Sequence, residues 1–207
     1  MIFPVTVYIR QGKFSVDVYE DVADIVKAAE TEYNGNLLSD NALAYIETAL
    51  IKYYAESDYE IFKDDGGLFL LFASCDTTNT EIGSEVKDLD ESCDGSLLET
   101  IDLEEAIDFG EKGSVIEIDG KVVSACVENF PDEENECEVA VETAEEFRNR
   151  GYAKSCLAHM ANKLTEQGRT LTYLCSADNK ESVFTAQSAG LCEIGRDYYY
   201  IFTKKEN

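Results

Sequence analysis

The stretch of sequence that decides the fold reads Phe147-Arg148-Asn149-Arg150-Gly151-Tyr152-Ala153-Lys154-Ser155. Strand-like residues from Val141 to Thr143 precede it, and a helix-like segment follows. The small residues Gly151 and Ala153 allow the backbone of the turn to approach a ligand closely, and the first turn of the helix would aim unpaired N–H groups at an anion. The stretch also holds three cations, Arg148, Arg150 and Lys154, in a chain with 17 basic and 43 acidic residues. The sequence therefore predicts an anion-binding loop.

Two other kinds of phosphate-binding loop do not match this stretch. A nucleoside triphosphate loop requires G-x-x-x-x-G-K-[S/T], but Ala153 precedes Lys154, and Arg148 stands where the first glycine belongs. A dinucleotide fingerprint requires three glycines, and the stretch contains only Gly151. A further alternative is a basic turn that merely caps a helix. The flanking segments must distinguish this alternative from an anion-binding loop.

The segments on both sides of the loop predict regular α/β structure. Upstream, Asp119-Gly120 is a strong hairpin signal between two strand-like segments, and a third strand leads into the loop. Downstream, apolar residues repeat at the helical period as far as Gly168. The predicted elements are strands Ser114–Ile118, Lys121–Val127 and Cys137–Thr143, helix Tyr152–Gln167, strand Thr170–Cys175, a helix that begins at a capping box of Asp178 and Glu181 and ends at Ala189, and strand Cys192–Phe202.

With these flanks, Arg148-x-x-Gly151-x-Ala153 resembles the Arg/Gln-x-x-Gly-x-Gly/Ala loop of the GCN5-related N-acetyltransferases (GNAT). Asn179, Ser182 and Gly190-Leu191 match the spacing that follows the loop in that family. The resemblance covers roughly residues 100 to 203, about half of the chain. It implies an α/β fold with a mixed, mostly antiparallel central sheet flanked by helices.

The resemblance also implies a cofactor, acetyl-CoA, which serves as a cosubstrate. The loop would hold its pyrophosphate, while backbone N–H groups of the preceding strand would bind the pantetheine arm and polarise the acetyl carbonyl. The cofactor-binding residues implied in this way are Val139, Val141, Thr143, Arg148, Asn149, Arg150, Gly151, Tyr152, Ala153, Lys154, Ser155, Asn179 and Ser182.

Two acids on the strand before the loop are candidates for the catalytic base. Glu138 and Glu142 are four residues apart and therefore share a face of the strand. Some members of the family carry a glutamate base here. The alternative is that one or both are solvated acids or substrate anchors. The only histidine, His159, falls outside the apolar stripe of its helix, so we expect it to be exposed.

The general acid is where the sequence departs from the family pattern. The family's usual tyrosine falls on Ala186, so we expect solvent to reprotonate the thiolate. Tyr152 is expected to pack against CoA, and the tyrosines at 198 to 200 are expected to belong to the closing strand. Cys156 lies near a helix N-terminus but is expected to be a packed thiol, because direct transfer from CoA needs no covalent intermediate.

The first half of the chain predicts an α/β region of its own, residues 1–75, of unassigned role. Its elements are a strand Val5–Ile9, helices Val22–Tyr33 and Asn41–Tyr54, and a hairpin of Tyr59–Phe62 and Leu68–Ala73. The hairpin echoes the one at Asp119-Gly120 and suggests a degenerate repeat. Residues 76–96 are acidic and poor in large apolar side chains, which predicts a linker, and residues 97–207 then form the acetyltransferase domain.

Composition limits the partners and the compartment. The net charge of −26 excludes nucleic acid and anionic membranes as partners, and it favours either simple solubility or a cationic substrate. Seven cysteines without a C-x-x-C motif indicate free thiols and no metal site. No apolar stretch reaches the ~20 residues of a membrane span, and the N-terminus lacks the pattern of a signal peptide. We therefore expect a cytoplasmic protein.

The function predicted from these features is acetyl-CoA-dependent N-acetylation of a primary amine on a small molecule or peptide. The alternative is a catalytically weak acyl-CoA-binding or regulatory module with the same fold. The sequence leaves the acceptor open, because the acceptor pockets of this family are built from the variable first half.

Overall fold

The structure is a computed structural model that describes residues 1–10, 12–62, 66–75, 82–83, 85–129 and 135–205. Its backbone forms two compact units. The first comprises Met1–Leu70, Ser176–Asp178 and Gly195–Asn207, and the second comprises Leu71–Cys175 and Asn179–Ile194. Each contains mostly antiparallel strands with flanking helices, so the predicted fold class is confirmed. Among the described helices, none combines the length and the apolar composition needed to cross a membrane.

The first unit contains a sheet built around the N-terminal strand. β1 (Ile2–Arg10) pairs antiparallel with β2 (Lys13–Val18) and with the last strand, β10 (Cys192–Lys204). Helices α1 (Ala23–Glu32) and α2 (Asp40–Tyr53) cover it. Together they bury an apolar core made of Val5, Val7, Val22, Val26, Ala29, Leu37, Ile46, Leu50, Tyr54, Tyr200 and Phe202.

The second unit contains the predicted strand, loop and helix. Its strands are β5 (Val86–Asp88), β6 (Gly113–Ile118), β7 (Lys121–Glu128), β8 (Glu136–Thr143) and β9 (Thr170–Ser176). They lie in the order β9-β8-β7-β6-β5, with β8 and β9 parallel and the other neighbours antiparallel. β4 (Gly67–Ala73) is divided between the two units.

Helices pack on both faces of the second unit's sheet. α4 (Tyr152–Glu166) buries its apolar stripe of Cys156, Leu157, Met160, Ala161 and Leu164 on β6, β7 and β8. α3 (Leu103–Asp108) packs on Val115, Val122, Ala125 and Val127. Residues paired across antiparallel strands share a face, so Val141, opposite Cys126, faces α4, and Glu142, opposite Ala125, faces the α3 side.

Three sequence predictions about local structure are wrong. The hairpin of Tyr59–Phe62 and Leu68–Ala73 does not form, because β3 (Tyr59–Ile61) pairs with β10. The suggested repeat therefore loses its basis, and part of the turn, residues 63–65, lies outside the described residues. The N-cap of α5 (Lys180–Ser188) is Asn179, whose side chain accepts the Ser182 N–H, and not Asp178.

The predicted linker also differs from the structure. Residues 86–88 form β5, which pairs with β6, and Leu89 and Cys93 pack into the core beneath α3. Alternating apolar residues are too few in so short a strand to reveal it in the sequence. Residues 76–81 and 84 lie outside the described residues. The two compact units also cut across the predicted boundaries 1–75, 76–96 and 97–207, because the closing strand joins the first unit.

Candidate active site

The site begins where two parallel strands part. β8 and β9 are in register at Glu136 with Thr170, at Cys137 with Leu171, and at Glu138 with Thr172. Within the described residues the pairing goes no further, although β8 continues to Thr143 and β9 to Ser176. The second half of β8 is therefore bonded to β7 on one side and faces an opening on the other.

The backbone of this half directs alternate N–H groups into the opening. Asn129 N–H donates to Glu138 O over 2.8 Å, and Ala144 N–H donates to Val123 O over 2.9 Å. In an antiparallel ladder only every second residue bonds the same neighbour. The even-numbered residues of β8 therefore bond β7, while Val141 and Thr143 turn their N–H groups toward the side that β9 has left.

The loop after β8 is shaped by two residues with left-handed backbone. Asn149 has φ 62° and Gly151 has φ 79°. A Cβ atom on Gly151 would meet nothing within 4 Å, so glycine is required here for its backbone conformation, and the space beside it is open. Arg148 Nε donates to Thr143 O over 3.2 Å, which ties the loop to the end of β8.

The N-terminus of α4 is distinctive among the α-helices that the structure describes. It has no side-chain cap and no acid in its first turn, whereas each of the other four has at least one of the two. Its first intrahelical bond runs from Ser155 N–H to Gly151 O, so the N–H groups of Tyr152, Ala153 and Lys154 precede the ladder. Such an end attracts negative charge.

These features open into a single cavity of about 770 Å³ within the second unit. Most of the predicted cofactor-binding residues line it: Val141, Thr143, Arg148, Asn149, Gly151, Tyr152, Ala153, Lys154, Asn179 and Ser182. Val139, Arg150 and Ser155 do not. Arg150 instead stacks over the Phe147 ring, 5.1 Å from its centroid, and donates to Glu146 O.

Glu142 also lines the cavity, but its carboxylate is fully engaged. It accepts from the backbone N–H groups of Glu99, Thr100 and Ile101 and from the Thr100 hydroxyl, at 2.7 to 2.9 Å. Although burial raises its pKa, these hydrogen bonds together hold the pKa of Glu142 below its usual value. The carboxylate is therefore a weak proton acceptor that anchors the segment 99–101 against the end of β8.

Glu138 lies outside the cavity. It is the last residue of β8 in register with β9, and it lies four positions from Glu142 along the strand, a distance of about 13 Å. Its carboxylate is within 3.4 Å of the Asn129 amide. The structure therefore does not bring the two candidate bases together, and a catalytic role for either stays a prediction.

Two other predicted side chains are placed differently from expectation. His159 is half-buried and not exposed, because its Nδ1 lies 2.8 Å from Ser114 Oγ on β6. Cys156 is fully buried, as expected, and burial raises the pKa of its thiol to about 12. Ala186, at the position of the family's tyrosine, is also fully buried.

The sequence prediction missed several residues of the cavity wall. Tyr173 directly follows the last paired residue of β9 and is only 7% exposed, with its hydroxyl bonded to Ser182. Burial raises the pKa of Tyr173, which keeps the hydroxyl protonated at neutral pH. Phe184 is 71% exposed on α5 and lines the cavity. The other missed residues are Glu99, Thr100, Phe147, Lys180, Glu181, Thr185 and Ser188.

Charge is mixed along the cavity wall. Arg148 and Lys154 lie at the loop and helix N-terminus, with Lys180 on α5, while Glu99 and Glu181 are acids on the same wall. Within the described residues, no three His, Cys, Asp or Glu side chains come together as a metal site.

Comparison with known proteins finds a similarity to one family. The family model described as GNAT acetyltransferase matches residues 102–199. This segment contains β6 to β9, the loop, α4 and α5. No curated protein matches the chain.

Several solved structures share the fold. One is a protein of the GNAT family from Novosphingobium aromaticivorans, with TM-score 0.54 and 14% identity over 72% of this chain and 69% of that one. Another is a GCN5-related N-acetyltransferase from Sphaerobacter thermophilus, with TM-score 0.53 and 12% identity over 95% of this chain and 74% of that one. A GNAT acetyltransferase from Colwellia psychrerythraea has TM-score 0.52 and 11% identity over 91% and 76% of the two chains. Residues 102–199 of this chain are therefore similar to the GNAT acetyltransferases, and the chain shares the fold of these solved structures.

Proposed function

We propose that the chain is an acetyl-CoA-dependent N-acetyltransferase that acts on a primary amine of a small molecule or peptide. The observation that carries the proposal is the meeting of two features in one cavity: the open half of β8 and the uncapped N-terminus of α4. The first suits an extended arm that contains amide groups, and the second suits phosphate.

The residues present fit this cosubstrate. Arg148, Lys154 and the N–H groups of Tyr152, Ala153 and Lys154 would hold the pyrophosphate, and the open space beside Gly151 leaves room for it. The N–H groups of Val141 and Thr143 would bond the amide-containing arm as a neighbouring strand does. When bound, acetyl-CoA supplies an activated acetyl group as a thioester.

Val141 and Tyr173 are assigned the two hydrogen-donating roles in acetyl transfer: one stabilises the acetyl oxygen, and the other protonates the departing sulfur. The N–H of Val141 would donate to the acetyl oxygen, where negative charge develops, and such a donor contributes most when it is held rigidly, here by the β7 ladder. The Tyr173 hydroxyl would give a proton to the departing sulfur, since it remains protonated at neutral pH and lies at the vertex of the opening. This assignment replaces the expectation that solvent alone supplies that proton.

Glu142 is assigned a positioning role. It fixes segment 99–101 and thereby places Glu99 and Thr100 on the cavity wall. Glu99 then offers negative charge to an approaching ammonium group, in keeping with the chain's net charge of −26. All seven cysteines are free of disulfide bonds, which supports a reducing compartment and so the cytoplasm.

The proposal is tested by calorimetry with acetyl-CoA and by release of free thiol in the presence of polyamines, amino acids, aminoglycosides or peptides. Gly151→Asp adds a carboxylate beside the loop and should weaken binding at least tenfold, since about 1.4 kcal/mol corresponds to each factor of ten. Gly168→Asp is a matched control, because Gly168 has φ 75° and its Cβ would also meet nothing within 4 Å. Equal loss in both variants, or no binding to the wild type, would refute the proposal.

The buried Ala186 favours one second candidate, a catalytically weak acyl-CoA-binding module. This candidate predicts tight acetyl-CoA binding without thiol release for any amine of the panel. Thiol release that depends on an added amine decides for the enzyme.

A further inference from the structure

Two of the seven cysteines differ from the rest. Cys93, Cys126, Cys137, Cys156 and Cys175 are buried, whereas Cys192 is exposed and Cys75 is half-buried. For four of the buried thiols, at 126, 137, 156 and 175, burial raises the pKa, which suppresses the reactive thiolate. Oxidants in solution would therefore meet Cys192 first.

The fold brings Cys75 and Cys192 together within the second unit. Cys75 lies just beyond β4, where Ser74 N–H donates to Leu171 O and fixes the chain against β9. The Cys75 thiol donates to Gly190 O over 3.7 Å, and Cys192 begins β10 two residues later. The two side chains are also hydrogen-bonded thiol to thiol. Two cysteines 117 positions apart in sequence are thus brought together where β4 ends and β10 begins.

We propose that Cys75 and Cys192 form a dithiol site that closes to an intramolecular disulfide when the protein meets a small disulfide such as oxidised glutathione. The Cys192 thiolate attacks one sulfur of the small disulfide and expels a glutathione thiolate, which leaves a mixed disulfide. The Cys75 thiolate then attacks the Cys192 sulfur and expels the second glutathione. Two protein thiols are oxidised, and one small disulfide is reduced to two thiols.

The pH dependence of closure has a definite sign. The hydrogen bond with Cys75, together with slight burial, raises the pKa of the Cys192 thiol. Because the thiolate is the attacking species, closure accelerates as the pH rises from neutral.

The test treats the native wild-type chain with oxidised glutathione and measures intact mass, thiol count and a peptide map without reduction. We expect a loss of about 2 mass units, two fewer reactive thiols, and one cross-linked peptide pair that contains Cys75 and Cys192. In Cys75→Ser we expect Cys192 to retain glutathione as a mixed disulfide, because the resolving thiol is gone. Cys93→Ser, which removes a buried thiol, should cross-link like the wild type.

Retention of the mixed disulfide at Cys192 in the wild type, to the same extent as in Cys75→Ser, would overturn the proposal. So would a cross-link that joins any other pair, or no reaction while Cys192 is modified by iodoacetamide. Oxidised wild type should also unfold at a higher temperature than reduced wild type, since the cross-link restricts the unfolded chain. None of these measurements depends on acetyl transfer, so their failure would leave the proposed function untouched.

Discussion

The two halves of β8, residues 136–138 and 139–143, belong to one continuous strand and have different neighbours. The first half, from Glu136 to Glu138, is paired with β9 in parallel register, and Glu138 O also accepts a hydrogen bond from the N–H of Asn129, which directly follows β7. The second half, through Thr143, keeps β7 but loses β9, and it lines the cavity. Alternation of side chains continues unbroken from one half to the other.

The difference shows that a binding surface can be made by withdrawing a neighbour from a strand and leaving the strand itself regular. N–H groups that would otherwise be paired in the sheet become donors for a ligand. Glu138 and Glu142 show the same contrast. Glu138 lies where β8 is paired with β9. Glu142 lies beside the opening, where its carboxylate holds segment 99–101.

The largest expected effect comes from removing a single N–H in the open half. Val141→Pro removes a donor that points away from β7, so the ladder to β7 can persist. We expect kcat to fall by about 10²–10³-fold, the range for loss of one oxyanion donor. Steady-state kinetics is the measurement.

Val141→Ala is the matched control for that change, since it keeps the N–H and should stay within severalfold of wild type. Circular dichroism of the proline variant must show a folded chain. A folded Val141→Pro with wild-type kcat would remove the distinction between the two halves of β8.

Tyr173→Phe tests the vertex where β9 leaves β8. We expect kcat to fall by about 100-fold with acetyl-CoA affinity unchanged, because a positioned acid contributes about 10²–10⁴-fold. Tyr152→Phe changes the other tyrosine of the cavity and should cost little. If the two variants have equal rates, the proton comes from solvent, as the sequence alone suggested.

Arg148 and Arg150 offer a finer comparison within the loop. Arg148 lines the cavity, whereas Arg150 stacks on the Phe147 ring and does not line the cavity. Arg148→Ala should weaken acetyl-CoA binding about tenfold or more, the size expected for one charge-assisted phosphate contact, and Arg150→Ala should weaken it less. Calorimetry on both variants checks the order, and a greater loss in Arg150→Ala would reverse the assignment.

The smallest expected effect concerns the stability supplied by Glu142. The pKa of its carboxyl is lower in the folded than in the unfolded chain, so its stabilisation is present above the unfolded value of about 4.3 and is lost as the pH falls further. Glu142→Gln should lower the free energy of unfolding by about 1–2 kcal/mol at pH 7, with a smaller difference from wild type in acid. Glu138→Gln should lower the free energy of unfolding less than Glu142→Gln does. Denaturant titrations at two pH values measure both variants, and a larger loss in Glu138→Gln would contradict the prediction.

Local patterns were enough to predict the loop, the strands β6 to β9 and the helix α4. Gly151, for example, stands at a turn that needs a left-handed backbone and is followed directly by an apolar helical stripe. The hairpin of β1 and β2 was missed although Phe14, Val16 and Val18 alternate after Gly12, which is a readable signal.

The cavity wall could not be predicted in the same way, because its members come from distant parts of the chain. The groups that bind the Glu142 carboxylate lie 41 to 43 residues before it. In the sequence, Tyr173 looks like an ordinary strand residue. It lines the cavity only because β8 and β9 separate directly before it. The pairing register determines where two strands separate, and it cannot be predicted from the sequence of either strand alone.

The most direct test of the central claim is amide hydrogen exchange across β8 with and without acetyl-CoA. We expect added acetyl-CoA to slow exchange at least about tenfold at Val141, Thr143 and the first turn of α4, and to leave the amides of 136–138 unchanged. Equal protection along the whole strand, or acetyl-CoA binding without protection of Val141 and Thr143, would contradict the assignment of the open half of β8 as the binding surface.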